Sequence, residues 1–231
     1  MSQIEVLDKG YIRLVDSMGT DLSVVNGAKV SYAKEAEGYG SKEDRLLNFL
    51  IRENHTSPLR QCALTFEVYA PMMVARQWWK HHVASTYVDD QNGYNESSRR
   101  YITEDSEFYI PGPGDWRSKP ENSKQGSGDN LRIDLGGIWS AKLEQHVNAC
   151  EDRYQEAIEA GIAPEQARLF LPAYGLYIRF RWTVSLHGAM NFLSLRLPKD
   201  AQKEIQDYAR AVEQLTAEKF PNTVRIWNEY R

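Results

Sequence analysis

Apolar and polar positions alternate along some stretches of this chain and recur at helical spacing along most others. From Cys62 to Ala70, the residues Cys62, Leu64, Phe66 and Val68 interleave with Ala63, Thr65, Glu67 and Tyr69, the period of a strand with one wet face. Tyr174 to Val184 repeats the pattern, setting Ile178, Phe180 and Trp182 against Tyr177, Arg179 and Arg181. Ile4 to Val15 alternates more weakly and predicts a further strand. Helical spacing is predicted from Asp21 to Ala33 with Asp21 as cap, and from Ser41 to about Asn54 with Leu46, Leu47, Phe49, Leu50 and Ile51 inward. It returns after Pro71, from Ile138 to Ala160, after Pro164, from Gly188 to Leu195, from Pro198 to Phe220 and from Asn222 to Tyr230. His55-Thr56-Ser57-Pro58 reads as a turn, because a residue before proline is pushed out of the helical region. Residues 111–136, rich in Gly, Pro, Ser and charge, read as a long flexible surface insertion. Without repeat or linker, residues 1–231 predict one domain of α+β class.

Composition narrows the chemistry. A chain of 231 residues, 42% hydrophobic, is long enough to bury a core, and a net charge of −4 disfavours a general nucleic-acid binder. There is no apolar run of membrane-spanning length and no secretory signal, so the expectation is a cytoplasmic protein with no membrane partner. The five histidines form no i,i+4 pair and no His-Glu-x-x-His, and neither Gly-rich nucleotide loop occurs, so no metal site is expected. Cys62 and Cys150 both fall on apolar faces and read as buried structural thiols.

Candidate chemistry concentrates between Arg76 and Tyr101. After the apolar Met72, Met73, Val74, Ala75, Trp78 and Trp79, the polar Gln77, Lys80, His81 and His82 emerge at a helix C-terminus, where the dipole by itself favours cations. Pro71 suits the first helical position. The run Glu96-Ser97-Ser98-Arg99-Arg100 then offers hydroxyls, forked guanidiniums and one carboxylate, equally a solvated turn or a cradle for a small phosphate carrying a polar ring. Asn191 and Arg196 are unusual in so apolar a helix. A buried Arg requires a carboxylate, a phosphate or a polarised oxygen, unless it snorkels to water.

These residues resemble a known family. Arg76-Gln77-Trp78-Trp79-Lys80-His81-His82 with Ser85 and Asn95-Glu96-Ser97-Ser98-Arg99-Arg100-Tyr101 is similar to the signature of the flavin-dependent thymidylate synthases. Three further segments agree in order: His55-Thr56-Ser57-Pro58, Ala167-Arg168-Leu169-Phe170-Leu171-Pro172, and Met190-Asn191-Phe192-Leu193-Ser194-Leu195-Arg196 followed by Ala201-Gln202 and Glu204-Ile205. The resemblance implies a mixed α/β core whose antiparallel-type sheet is packed by helices. It implies reductive methylation of dUMP, with FAD as cofactor and NADPH and methylenetetrahydrofolate as co-substrates, in a homotetramer with shared active sites. By the same resemblance dUMP would be held by Gln77, Lys80, Glu96, Ser97, Ser98, Arg99, Arg100, Arg168 and Arg196. Arg196 would be catalytic, stabilising negative charge at N3 and O4 of the uracil so that C5 becomes nucleophilic without a covalent cysteine. FAD would rest on Ser57, Lys80, His81, His82, Glu96, Ser185, His187 and Asn191.

The chain departs from the family pattern at Lys80-His81-His82, which stands where Arg-His-Arg is usual, and at an insertion of about eight residues around Val88 to Tyr94. Arg60 replaces a glutamate, and Ser185-Leu186-His187 replaces an Asn-x-Arg. All four fall on the expected flavin and folate side. Flavin-dependent hydroxymethylation or another alkylation of a pyrimidine nucleotide therefore stays open, as does a non-catalytic nucleotide- or flavin-binding homologue.

Overall fold

The computed structural model describes residues 2–81, 94–96, 106–121 and 126–230, with only the backbone described for 94–96. Both alternating stretches form central strands. The chain pairs Gln3–Val6 (β1) with Gly10–Met18 (β2), joined by a turn of Leu7, Asp8 and Lys9 with Leu7 at φ 61°, so the single strand expected from Ile4 to Val15 is a hairpin. Ala63–Pro71 (β3), Tyr94–Glu96 (β4) and Tyr177–Ser185 (β5) complete an antiparallel sheet of order β1-β2-β3-β5-β4. β3 and β5 pair without interruption from Ala63 opposite Ser185 to Pro71 opposite Tyr177. That register puts Leu64, Phe66 and Val68 on one face with Phe180, Trp182 and Val184, all buried.

The helices are Asp21–Lys29 (α1), Ser41–Arg52 (α2), Met72–Trp78 (α3), Ile133–Glu159 (α4), Pro164–Ala167 (α5), Leu186–Arg196 (α6), Lys203–Ala217 (α7) and Pro221–Tyr230 (α8). α1, α2, α3, α6, α7 and α8 cover the apolar face and share one hydrophobic core with the sheet. The opposite face carries charge: Glu67 accepts from Arg13 at 2.9 and 3.0 Å and from Tyr11 at 3.0 Å, with Arg181 at 3.4 Å. Those donors, Arg13 foremost, hold the Glu67 carboxyl below the usual range against a burial that would raise it.

Several local expectations are corrected. Asp21 is not the cap of α1: Thr20 is, in a reciprocal capping box with Ser23. Asp21 is buried and turned to α8, accepting from the N–H groups of Asn222 at 2.8 Å and Thr223 at 3.0 Å and from the Thr223 hydroxyl at 2.6 Å. Because Pro221 has no N–H, Asp21 serves the next two donors of that helix. Pro71 closes β3 and lies one residue before α3. Helix α4 starts at Ile133, five residues before the expected Ile138. Described residues of the preceding segment are held by side-chain hydrogen bonds: Trp116 donates to Ser140 at 2.9 Å, Ser140 to the Pro111 carbonyl at 2.6 Å, and Asn130 to the Gly114 carbonyl at 2.8 Å. A Cβ at Gly136 would sit 1.9 Å from the Pro113 carbonyl oxygen, so only glycine permits this approach. Cys62 is buried as expected, but Cys150 is only partly so, with Sγ 3.7 Å from His146 Nε2.

Candidate functional site

The site is built where α3 leaves the sheet. Trp78 is the last residue of α3 and is wholly buried, stacked on Phe192 at 4.6 Å and edge-on to Trp182 at 5.4 Å and Phe180 at 5.7 Å. Aromatic packing of this kind fixes the helix end against β5 and α6. Gln77 is half-buried, Lys80 is exposed, and His81 is buried with its ring edge-on to Phe192 at 5.1 Å.

Helix α6 supplies the second wall. Ser185 caps it, accepting from the Gly188 N–H at 3.0 Å. Six of its residues, among them Phe192 and Leu193, are buried. Besides Leu195 and Arg196 at its end, what remains open is a stripe at i, i+4, i+7 spacing: His187, Asn191 and Ser194. The Nδ1 of His187 is buried with no hydrogen-bond partner. Burial, aided by Arg60, pushes the His187 pKa down. The Asn191 side chain hydrogen-bonds no other described residue, whereas the Ser194 hydroxyl accepts from Trp227 Nε1 at 2.8 Å.

Arg196 ends α6 beside Gln77. One terminal nitrogen donates to the Leu195 carbonyl at 3.2 Å and the other reaches the Gln77 carbonyl at 3.5 Å. Its Nε is buried and without an acceptor, and no carboxylate among the described residues lies within salt-bridge distance. Burial alone pulls the guanidinium pKa below its ordinary value. A half-buried cation with no carboxylate partner among the described residues is a binding position for an anion or a polarised oxygen.

Gln77 is also tied away from Arg196. Its amide nitrogen donates to the Met73 carbonyl at 3.3 Å and to Gln202 Oε1. Gln202 in turn donates to Glu204 at 2.8 Å, and Arg117 donates to the other carboxylate oxygen at 2.5 Å. Burial opposes charge on Glu204, yet hydrogen bonds from Arg117 and Gln202 prevail and hold its pKa down. Sequence reasoning gave Arg117, Gln202 and Glu204 no role, although the last two fall in a segment that matches the family. A second signal was a carboxylate in the first turn of a helix whose neighbours Ile205 and Gln206 are themselves buried. Beyond Glu204 lies a cavity of about 600 Å³ between β1, Tyr109 to Arg117 and the start of α7, where Glu5, Asp8, Asp115 and Asp207 outweigh Lys203. Its charge suits no phosphate.

The expected residues are thus partly assembled. Arg196 meets Gln77, His81 packs on Phe192 of α6 with Lys80 adjoining, and His187 and Asn191 lie along the same helix. Ser185 is fully buried and its oxygen is already engaged as the cap, so its hydroxyl is not presented to a ligand here. Ser57 is exposed at the head of the 3₁₀ turn Pro58–Gln61, with helical φ −56° and ψ −40° rather than the extended conformation expected before proline. The bonds from Arg60 N–H to the carbonyls of Thr56 and Ser57, both 3.2 Å, hold it there. Arg168 stands apart on the exposed turn Arg168–Phe170, donating to the Glu165 carbonyl at 3.3 Å. The backbone of Glu96 pairs opposite Phe180. His82, Ser97, Ser98, Arg99 and Arg100, and the insertion around 88–93, lie outside the described residues.

A family model described as Thymidylate synthase complementing protein matches residues 13–222. A flavin-dependent thymidylate synthase of Thermotoga neapolitana is 41% identical, the match covering 99% of this chain and 95% of that one. Another, from Thermus thermophilus, is 40% identical, with 98% of this chain and 78% of that protein covered. Among solved structures, a UMP/dUMP methylase PolB from Streptomyces cacaoi bound with 5-Br dUMP is similar with a TM-score of 0.82 and 28% identity, over 98% of both chains.

Proposed function

We infer that this chain, which belongs to the family of flavin-dependent thymidylate synthases, is a methyltransferase that converts dUMP to dTMP. Methylenetetrahydrofolate is the carbon donor and NADPH the reductant. The observation that carries the reading is Arg196, a half-buried guanidinium without a carboxylate partner among the described residues, converging with Gln77 where two helix ends meet. A cation so placed is available to the uracil ring, where charge develops on the N3–O4 side as C5 attacks the one-carbon unit. No thiolate is called on: Cys62 is buried, its thiol pushed up to about 11 by that burial and by Asp21, and Cys150 lies on α4.

FAD, when bound, supplies the hydride chemistry that side chains lack. The open polar stripe of α6 fits such a ring, since Asn191 and the buried His187 Nδ1 have hydrogen-bonding capacity that no described residue uses. Lys80, His81 and His82 would hold it from α3 and the residues that follow, with Ser57 beside Arg60 and Glu96 from the edge strand. Ser185 would act one step back, by orienting α6. Glu96, Ser97, Ser98, Arg99 and Arg100 would complete the dUMP cradle with Gln77 and Lys80.

Arg168 would reach dUMP in a neighbouring subunit of a homotetramer. Support for that comes from its setting: Leu169 is 82% exposed, Phe170 46% and Tyr174 66%. So much uncovered apolar surface around one arginine suits a subunit contact. The work would be cytoplasmic, and no helix among the described residues is long and apolar enough to cross a membrane. The likeness to a UMP/dUMP methylase makes UMP the second substrate to try.

The test is direct. Purified protein should carry flavin absorbance, and dUMP labelled with deuterium at C5 should lose the label and gain a methyl group when methylenetetrahydrofolate and NADPH are supplied. A hydroxymethyl product would replace this reading with the alternative alkylation. A protein that binds dUMP without turnover would make it a non-catalytic relative.

A further inference from the structure

The hydrogen bonds behind Gln77 have only one consistent direction. Glu204 is 4% exposed and receives Arg117 at 2.5 Å, so its carboxylate acts as an acceptor only. Gln202 must then turn its NH₂ to Glu204, which it does at 2.8 Å, leaving its carbonyl oxygen for Gln77. Gln77 must answer with its own NH₂, and the Met73 carbonyl at 3.3 Å demands the same group from the other side. Both amide hydrogens of Gln77 are therefore committed, and its Oε1 has no partner among the described residues. An amide that could otherwise flip is set from two ends by groups that cannot donate.

We propose that Glu204, acting through Gln202, is a positioning residue that makes Gln77 present a hydrogen-bond acceptor to the nucleotide. The position then selects a donor on the ligand, either the imide N3–H of the base or a sugar hydroxyl. This rests on the reading of Gln77 as part of the dUMP site. Sites that match a specific donor reject analogues lacking it, because the buried acceptor is then left unpaired.

The experiment compares affinities for dUMP, N3-methyl-dUMP and 2′,3′-dideoxy-UMP by calorimetry, with thermal unfolding recorded for every variant. Wild type should disfavour one of the two analogues by about tenfold or more. Gln202→Met, which cuts the relay, should shrink that preference to about threefold or less while dUMP still binds. Glu204→Gln alone should relax it in the same sense. Combining Glu204→Gln with Gln202→Glu should restore the preference. The carboxylate introduced at position 202 then faces Gln77 directly as an acceptor, and the amide introduced at position 204 donates to it in place of the lost link. If Gln202→Met does not fold, the comparison of Glu204→Gln with the double variant decides. Full discrimination in Gln202→Met or Glu204→Gln, none in wild type, or no recovery in the double variant overturns the proposal. Absence of dUMP binding by wild type overturns the site itself, which is a separate failure.

Discussion

Replacing Arg196 by methionine should stabilise the free protein while disabling it. Methionine keeps the unbranched stem that packs along α6 but removes the charge and the buried Nε–H that has no acceptor. An unsatisfied buried donor costs about 1–3 kcal/mol. Against that stand two bonds to backbone carbonyls, at 3.2 and 3.5 Å, the second at the limit of a useful hydrogen bond. Water reaches part of this half-buried side chain, so the lower end of the range applies, and the two carbonyls recover solvent. The balance is a gain of about 1 kcal/mol, which for a chain of this size moves Tm up by about 2–4 °C. Turnover should fall by about 10²–10³, the loss typical when one charge-stabilising group leaves an active site. Calorimetric melting of the apoprotein and steady-state release of C5 deuterium from dUMP measure the two quantities. A variant that melts several degrees lower, or keeps kcat within about threefold, contradicts the assignment of Arg196 as a strained functional cation.

Other perturbations separate the remaining roles. Arg168→Ala should weaken dUMP binding with kcat at saturation largely kept, and should leave the melting of the free protein within about 0.5 kcal/mol because the side chain is exposed. Equal affinity loss in the Arg168 and Arg196 variants, with turnover intact in both, refutes the division. Asp21→Ala removes the acceptor for two N–H groups and one hydroxyl at the start of α8, and urea titration should show a loss of about 2–4 kcal/mol. His187 is held below 6.5 in the folded chain, chiefly by burial. As pH falls through 6.5 the unfolded chain takes up the proton first, so stability declines until the folded pKa is reached. His187→Gln should flatten that decline, and unfolding curves at several pH values test it. With its thiol pushed up to about 11, Cys62 should resist iodoacetamide in the native protein while Cys150 reacts. Mass mapping that finds Cys62 alkylated first contradicts its burial.

What the amino-acid order determined by itself was whatever repeats within a few residues. Alternation announced β3 and β5 and their inward Leu64, Phe66, Phe180 and Trp182. Helical spacing announced α2, α6, α7 and α8 to within a few residues, and the family motifs singled out Gln77 and Arg196 before any contact was known. Tertiary structure decided which polar group answers which. Asp21 looked like a cap and is one, but for a helix about 200 residues away, because Pro221 leaves that end short of a donor and the core brings α1 beside it. Ser185 looked like a cofactor ligand and instead caps its own helix from a fully buried position. Gln77 and Gln202, 125 positions apart, acquire a fixed polarity only because Glu204 and Arg117 close behind them. Periodicity is a property of the backbone and is written locally. The partner of a buried donor is chosen by whichever acceptor the packed core delivers within about 3 Å, and that distance has no image in the sequence.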